Sequence, residues 1–404
     1  MSIGINNNKK ILDLKKTKEY LTFLISNRKK EEENINEIIK YIFNLGVGNS
    51  YVELFDVSNN FINFVDRVNL KKSSYKKTKL SKDDLFLYGG KVLDSIDPSL
   101  KEELNNFKLD GTVIFKNKIE RLLLNKQTSS FKVHRSDDNK RKLTYKININ
   151  EDLNFETVKT LIHEFMHYIT DKNLTEIEDI NKSKYEKNII QTKYGEFISI
   201  YFENYAKEFL ENNYQIPKEE FDNDFRFKNI EAQKQNKILF LQFKIHYTYG
   251  EYNYKTFKEF VLENDVNIDS SYKSYISNKK YFLKAYKGLM FNYSEEKKKK
   301  DLHPNLIDHF DENIKDKLIK SLYSNNYVLG TLLAFDAKDK VTPKDMLHFS
   351  QIIGNDNKIE IFKDPIFKKI DDMYSDISEN GFDYNILLDY LKDNGCIEKG
   401  VTLW

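Results

Sequence analysis

The chain has 404 residues, 40% of them hydrophobic, which is enough for a sizeable core and for two or three domains or lobes. Its 65 Lys and Arg nearly cancel 63 Asp and Glu, and a net charge of +2 argues against nucleic acid as a partner. One cysteine, Cys396, excludes an intramolecular disulfide and a thiolate metal cluster, and no apolar run approaches the ~18 residues of a membrane span.

The opening residues, Met1 to Lys10, lack the apolar core of a secretory signal, so a cytoplasmic protein is expected; leaderless export would leave no readable mark. Only 5 Pro and 14 Gly punctuate the chain, which favours long helices. Residues 9–45 carry helical periodicity in Leu21, Phe23 and Leu24, then in Ile35, Ile38, Ile39, Ile42 and Phe43. The polar stretch from Arg28 to Asn34 is expected to separate two helices. Residues 95–125 read as helical in places, broken at Asp110-Gly111.

The pattern changes near 128–150. Leu143, Tyr145, Ile147 and Ile149 alternate with Thr144, Lys146 and Asn148, as in a strand. With Ser129 to His134 before it and the turn-like Asp137-Asp138-Asn139-Lys140 between, this predicts a small hairpin. Helical patterns then follow at 155–172, 194–212, 217–247, 254–263, 270–290, 304–335, 343–353 and 380–394. The expected architecture is mainly α: a helical lobe over 1–125, then a lobe over 126–404 holding a small sheet (126–150) and further helices. The run Lys297–Lys300 follows Glu295 and Glu296 and reads as a solvated loop or helix end.

The chemistry concentrates at His163-Glu164-Phe165-Met166-His167. Asn154 is a plausible N-cap for this helix. Phe155, Val158, Leu161, Ile162, Phe165 and Ile169 fall close to one helical face. Histidines four apart stack a turn apart on one face, where two neutral imidazoles can hold Zn²⁺ at about 2.0–2.1 Å. Glu164 projects beside them, placed to take a proton from a water activated by the metal. Two surface histidines flanking a glutamate would be the bland alternative; the apolar helix and the preceding strand argue against it. A third ligand must come from elsewhere. The helix at 194–212 offers Glu196, Glu203 and Glu208. Glu196 and Glu203 share one face but lie roughly 10–11 Å apart along the axis, so one ion cannot take both.

The segment Glu196-Phe197-Ile198-Ser199-Ile200-Tyr201-Phe202-Glu203 is similar to the helix after the zinc motif in the thimet oligopeptidase and oligoendopeptidase F family. Thr160-Leu161-Ile162-His163-Glu164, following the strand from Leu143, resembles that family's approach to the motif. Tyr323-Ser324-Asn325-Asn326-Tyr327-Val328-Leu329-Gly330 resembles its substrate-facing tyrosine segment. The resemblance covers about 143–212 and 300–360; Met166 stands where the family commonly has glycine. It implies a gluzincin fold with two helical lobes flanking a cleft, Zn²⁺ held by His163, His167 and Glu196, Glu164 as general base, and Tyr327 or Tyr323 assisting at the scissile carbonyl. It also implies short unstructured peptides as substrates. Two alternatives stay open. Glu203-Asn204-Tyr205-Ala206-Lys207-Glu208-Phe209 also looks like the ligand helix of anthrax-lethal-factor-like toxin proteases, which would make Glu203 the ligand and a protein the substrate. A non-catalytic, peptide-binding relative is the other. The sequence leaves the oligomeric state undetermined.

Overall fold

The computed structural model describes residues 28–68, 75–116, 130–135, 143–172, 183–221, 230–283, 327–353, 358–394 and 397, apart from 34, 41, 45–47, 265, 267 and 269–271. The described residues are mostly helical. They fall into two compact units, one within 1–55 and 235–315, the other within 56–234 and 316–404. Each is discontinuous in sequence, and the expected 125/126 boundary lies inside the second. No helix among the described residues is long and apolar enough to cross a membrane.

In the first unit, residues 28–33 are helical, where the sequence suggests a break. The polar residues pair along the helix instead, Arg28 with Glu32 at 3.5 Å. Ile35, Ile38, Ile39 and Ile42 are buried as their period requires. Asn36 clamps the backbone of Tyr252, accepting from its N–H at 2.7 Å and donating to its carbonyl at 3.0 Å. The helix α1 (Gly48–Arg67) supplies Tyr51, which stacks on Phe243 of the helix Ile230–Tyr249 at 4.3 Å.

The second unit is built around the histidine motif. Helix α2 (Lys82–Ile96) starts at a Ser81–Asp84 capping box, and α3 (Pro98–Asp110) starts at Asp97 and stops at Gly111, whose φ of 75° favours glycine. The strands β1 (Val113–Lys116), β2 (Ser130–Arg135) and β3 (Leu143–Asn150) form a sheet in the order β1-β3-β2. The hairpin expected from alternation is present: β2 runs antiparallel to β3, with Phe131 opposite Ile147. The turn expected at 137–140 lies outside the described residues. β1 is an addition. It pairs parallel to β3, Val113 opposite Ile147, within a stretch expected to be helical.

β3 leads through Leu153 into α4 (Phe155–Lys172), which carries the motif. α4 packs against α2, against the sheet and, most extensively, against α5 (Ser183–Tyr214). Further along, the helix Ile230–Tyr249 (α6) and α7 (Tyr254–Glu263) precede α8 (Tyr327–Asp336), α9 (Pro343–Ile352), α10 (Lys358–Lys363), α11 (Pro365–Asn380) and α12 (Tyr384–Asp393). α8 lies along α5, and α9 and α11 pack around this pair.

Candidate metal centre

The motif helix is fixed before any ligand chemistry begins. Asn154 caps it, accepting from the Thr157 N–H at 3.1 Å, while Thr157 Oγ1 accepts from the Asn154 N–H at 3.2 Å. Val158, Leu161, Ile162, Phe165, Met166 and Ile169 are fully buried. Each such side chain contributes roughly 1.5–3 kcal/mol, so α4 cannot rotate to move its histidines without exposing a core face.

His163 and His167 thereby project together. Their Nε2 atoms are 3.1 Å apart and the rings meet edge to face. The Glu196 carboxylate, from α5, closes the third side: Oε2 is 3.6 Å from His163 Nε2 and Oε1 is 3.7 Å from His167 Nε2. Ligand atoms around one tetrahedral zinc lie about 3.3 Å apart, given metal–ligand bonds near 2.0 Å. The three donors therefore fit one small divalent ion with little adjustment. Glu196 Oε2 and His163 Nδ1 are buried without a hydrogen-bond partner among the described residues, a condition that a cation and a better-aligned neighbour would each relieve.

Glu203 takes a different position. Its carboxylate approaches the other ring nitrogen, His163 Nδ1, at 3.5 Å, a close ionic approach rather than an aligned hydrogen bond. Glu196 is thus the carboxylate facing both Nε2 atoms, and Glu203 faces the back of one ring. Ser199, between them on the same face, is fully buried, but its hydroxyl has no hydrogen-bond partner among the described residues and does not orient an imidazole. Glu208 turns away to Lys338 at 2.6 Å. Lys207 does not neutralise Glu203; it bonds Tyr390 and Asn394 and lies 3.7 Å from Glu211.

Glu164 is buried on the turn of the motif, near enough for its charge to act on both His163 and Tyr327. Tyr327 is the first residue of α8. Its hydroxyl is 3.4 Å from His163 Nε2, and it and the Glu196 carboxylate each act on the other's titration. Tyr323, the other candidate, lies outside the described residues.

Three carboxylates, Glu164 and Glu203 buried and Glu196 partly so, act on the histidines. Burial alone would push the His163 imidazole down, but Glu203, then Glu196 and Glu164, reverse this and raise it to about 9. Burial pushes His167 well below the ordinary histidine value, and the charge on His163 pushes it further. Burial raises Glu196, with His163 and the Tyr327 hydroxyl opposing. Burial and the charges of Glu196, Glu203 and Glu164 raise the Tyr327 phenol well above its usual range.

Two features that periodicity does not reveal hold this geometry. Gly330 on α8 lies against the α5 backbone: a Cβ there would meet Phe197 N at 3.0 Å and Glu196 C and Cβ at 3.4 Å. This close approach brings Tyr327 to Glu196. On the other flank, Asp371 of α11 accepts from Tyr194 Oη at 2.5 Å and from Lys193 Nζ at 2.9 Å, pinning α5 immediately before Glu196. α11 is absent from the helices expected above, although Asp364 followed by Pro365 is a recognisable start signal.

No family model, curated protein or solved structure matches this chain.

Proposed function

We propose that the chain is a zinc-dependent peptidase in which His163, His167 and Glu196 hold the metal. The observation that carries this reading is the convergence of two Nε2 atoms and one carboxylate at 3.1, 3.6 and 3.7 Å, with a further buried carboxylate, Glu164, on the same helical turn. Two imidazoles and one carboxylate are a ligand set suited to zinc, and three protein ligands leave a position open. When bound, zinc supplies a Lewis acid that polarises a carbonyl and lowers the pKa of water.

The chain's own residues supply the remainder. The Glu164 carboxylate accepts a proton from the attacking water and returns it to the leaving amine. The Tyr327 hydroxyl donates a hydrogen bond to the carbonyl oxygen as negative charge develops on it. Glu203 holds the His163 ring by its Nδ1, so that Nε2 faces Glu196 and His167. The substrate we infer is a peptide in extended, unstructured form.

Digestion of a peptide library by zinc-loaded protein, with and without chelator, tests the proposal. Cleavage that disappears with chelator and returns with zinc is expected. Zinc-loaded protein that cleaves no member of the library, or cleavage indifferent to chelator, would overturn it.

A further inference from the structure

A fourth oxygen stands beside the three donors. The Tyr327 hydroxyl is 3.4 Å from His163 Nε2, close to the ~3.3 Å between ligand atoms of a tetrahedral zinc. Three residues further along α8, Gly330 rests against the backbone of Glu196, so the phenol and that carboxylate come from helices in direct contact. A hydroxyl that only contacted substrate would stand one substrate atom further out. This one already stands beside the metal-facing nitrogen of His163.

Its position is set by backbone packing and is not a matter of one rotamer. Tyr327 opens α8, and three residues on, Gly330 rests on the Glu196–Phe197 backbone of α5. Val328, Leu329, Leu332 and Leu333 are buried behind it. The phenol and the Glu196 carboxylate therefore belong to two helices in close backbone contact.

Resting on the reading above, we propose that Tyr327 is the fourth ligand of the metal in the absence of substrate, closing the open position until a substrate carbonyl displaces it. On coordination the phenol O–H bond breaks, an oxygen–metal bond forms and one proton passes to solvent. When substrate enters, the oxygen leaves the metal, regains a proton and becomes the donor to the carbonyl oxygen. Metal binding that releases a proton from a ligand is the general rule for such centres. The exchange gives one side chain two roles, guarding the ion and then stabilising the reacting oxygen.

Copper(II) is the probe, because a phenolate bound to it gives a visible charge-transfer band that imidazole and carboxylate do not. The full chain is stripped of metal and loaded with one equivalent of copper(II). The expected result is that band in the native protein and its loss in Tyr327→Phe, with one copper bound in both. Two results would overturn the ligand assignment while leaving the metal site standing: a native spectrum without the band, or a band that persists in Tyr327→Phe. A native spectrum without the band overturns the assignment even if the variant fails to fold, and Tyr327→Trp serves as a second variant for loss of the band. Copper that fails to bind the native protein, or that binds as well after His163→Ala, would overturn the metal site and this inference together.

Discussion

Replacing Gly330 by alanine tests whether the helix contact, and not the tyrosine alone, sets the site. In an exposed helix interior the change would stabilise by ~1 kcal/mol through propensity. Here the new methyl would sit 3.0 Å from Phe197 N and 3.4 Å from two atoms of Glu196. Two of the three atoms it meets are helical backbone, which cannot swing aside as a long side chain can. Overpacking of this kind costs ~1–3 kcal/mol. The two effects leave a net destabilisation of about 0–2 kcal/mol, read from the urea midpoint. The function should suffer more than the fold. The helices must part by a few tenths of an ångström, and Tyr327 moves with α8. A misplacement of about 1 Å can cost about 10²-fold in rate, so Gly330→Ala should lose roughly 2–10-fold in kcat. The assay is a double-mutant cycle with Tyr327→Phe on peptide hydrolysis. In the Tyr327→Phe background, where no hydroxyl remains to misplace, adding Gly330→Ala should cost almost nothing further. Equal losses in both backgrounds would refute the argument, since the glycine would then act without the tyrosine.

Glu164→Gln keeps the shape of the side chain but cannot accept a proton; it should retain about one zinc per chain by metal analysis and lose on the order of 10²-fold or more in rate. Glu203→Ala removes the partner of His163 Nδ1 and should weaken zinc about 10–100-fold in competition with a chelating dye, while Glu203→Gln, which keeps an acceptor oxygen, should recover part of that; unchanged affinity in Glu203→Ala would show that the ring needs no support. Asp364 caps α11, accepting from the Ile366 and Phe367 amides, so Asp364→Ala should cost about 1 kcal/mol in the urea midpoint at neutral pH. Burial pushes the Asp364 carboxyl up, but His348 at 2.9 Å and the two amides outweigh it and hold it below its usual value. Its contribution is therefore complete above the unfolded carboxyl pKa of about 3.9 and lost as the pH falls through the lower folded value. The gap between native protein and Asp364→Ala should narrow in acid; a gap that widens there would show that the carboxylate does not stabilise the cap.

The sequence makes visible what depends on short-range spacing. Histidines four apart, the Asn154 cap and the alternation of Leu143 to Ile149 each correspond to an observed element. Other elements are hidden for identifiable reasons. β1 is four residues long and pairs in parallel with a strand about thirty residues on, so it shows no alternation worth reading. α2 contains Gly89-Gly90, which reads as punctuation, yet Gly89 is the point where α2 meets Leu104 and Leu161, a Cβ there coming within 3.4 Å of each.

The proposed ligand set is only half legible for a related reason. Glu196 and Glu203 are two turns apart on one helical face, so periodicity treats them alike. What separates them is where along α5 the motif helix crosses and which ring nitrogen each carboxylate meets. That crossing point depends on Asp371 pinning Tyr194 and Lys193 before Glu196, and on Gly330 admitting α8 against the same turn. Both residues are more than a hundred positions from the motif, and neither belongs to a pattern that predicts a metal. A carboxylate near zinc can be nominated from its spacing, but whether it binds the ion or braces an imidazole is decided by backbone contacts between helices. Here those contacts place Glu196 on the two Nε2 atoms and leave Glu203 to the Nδ1 behind.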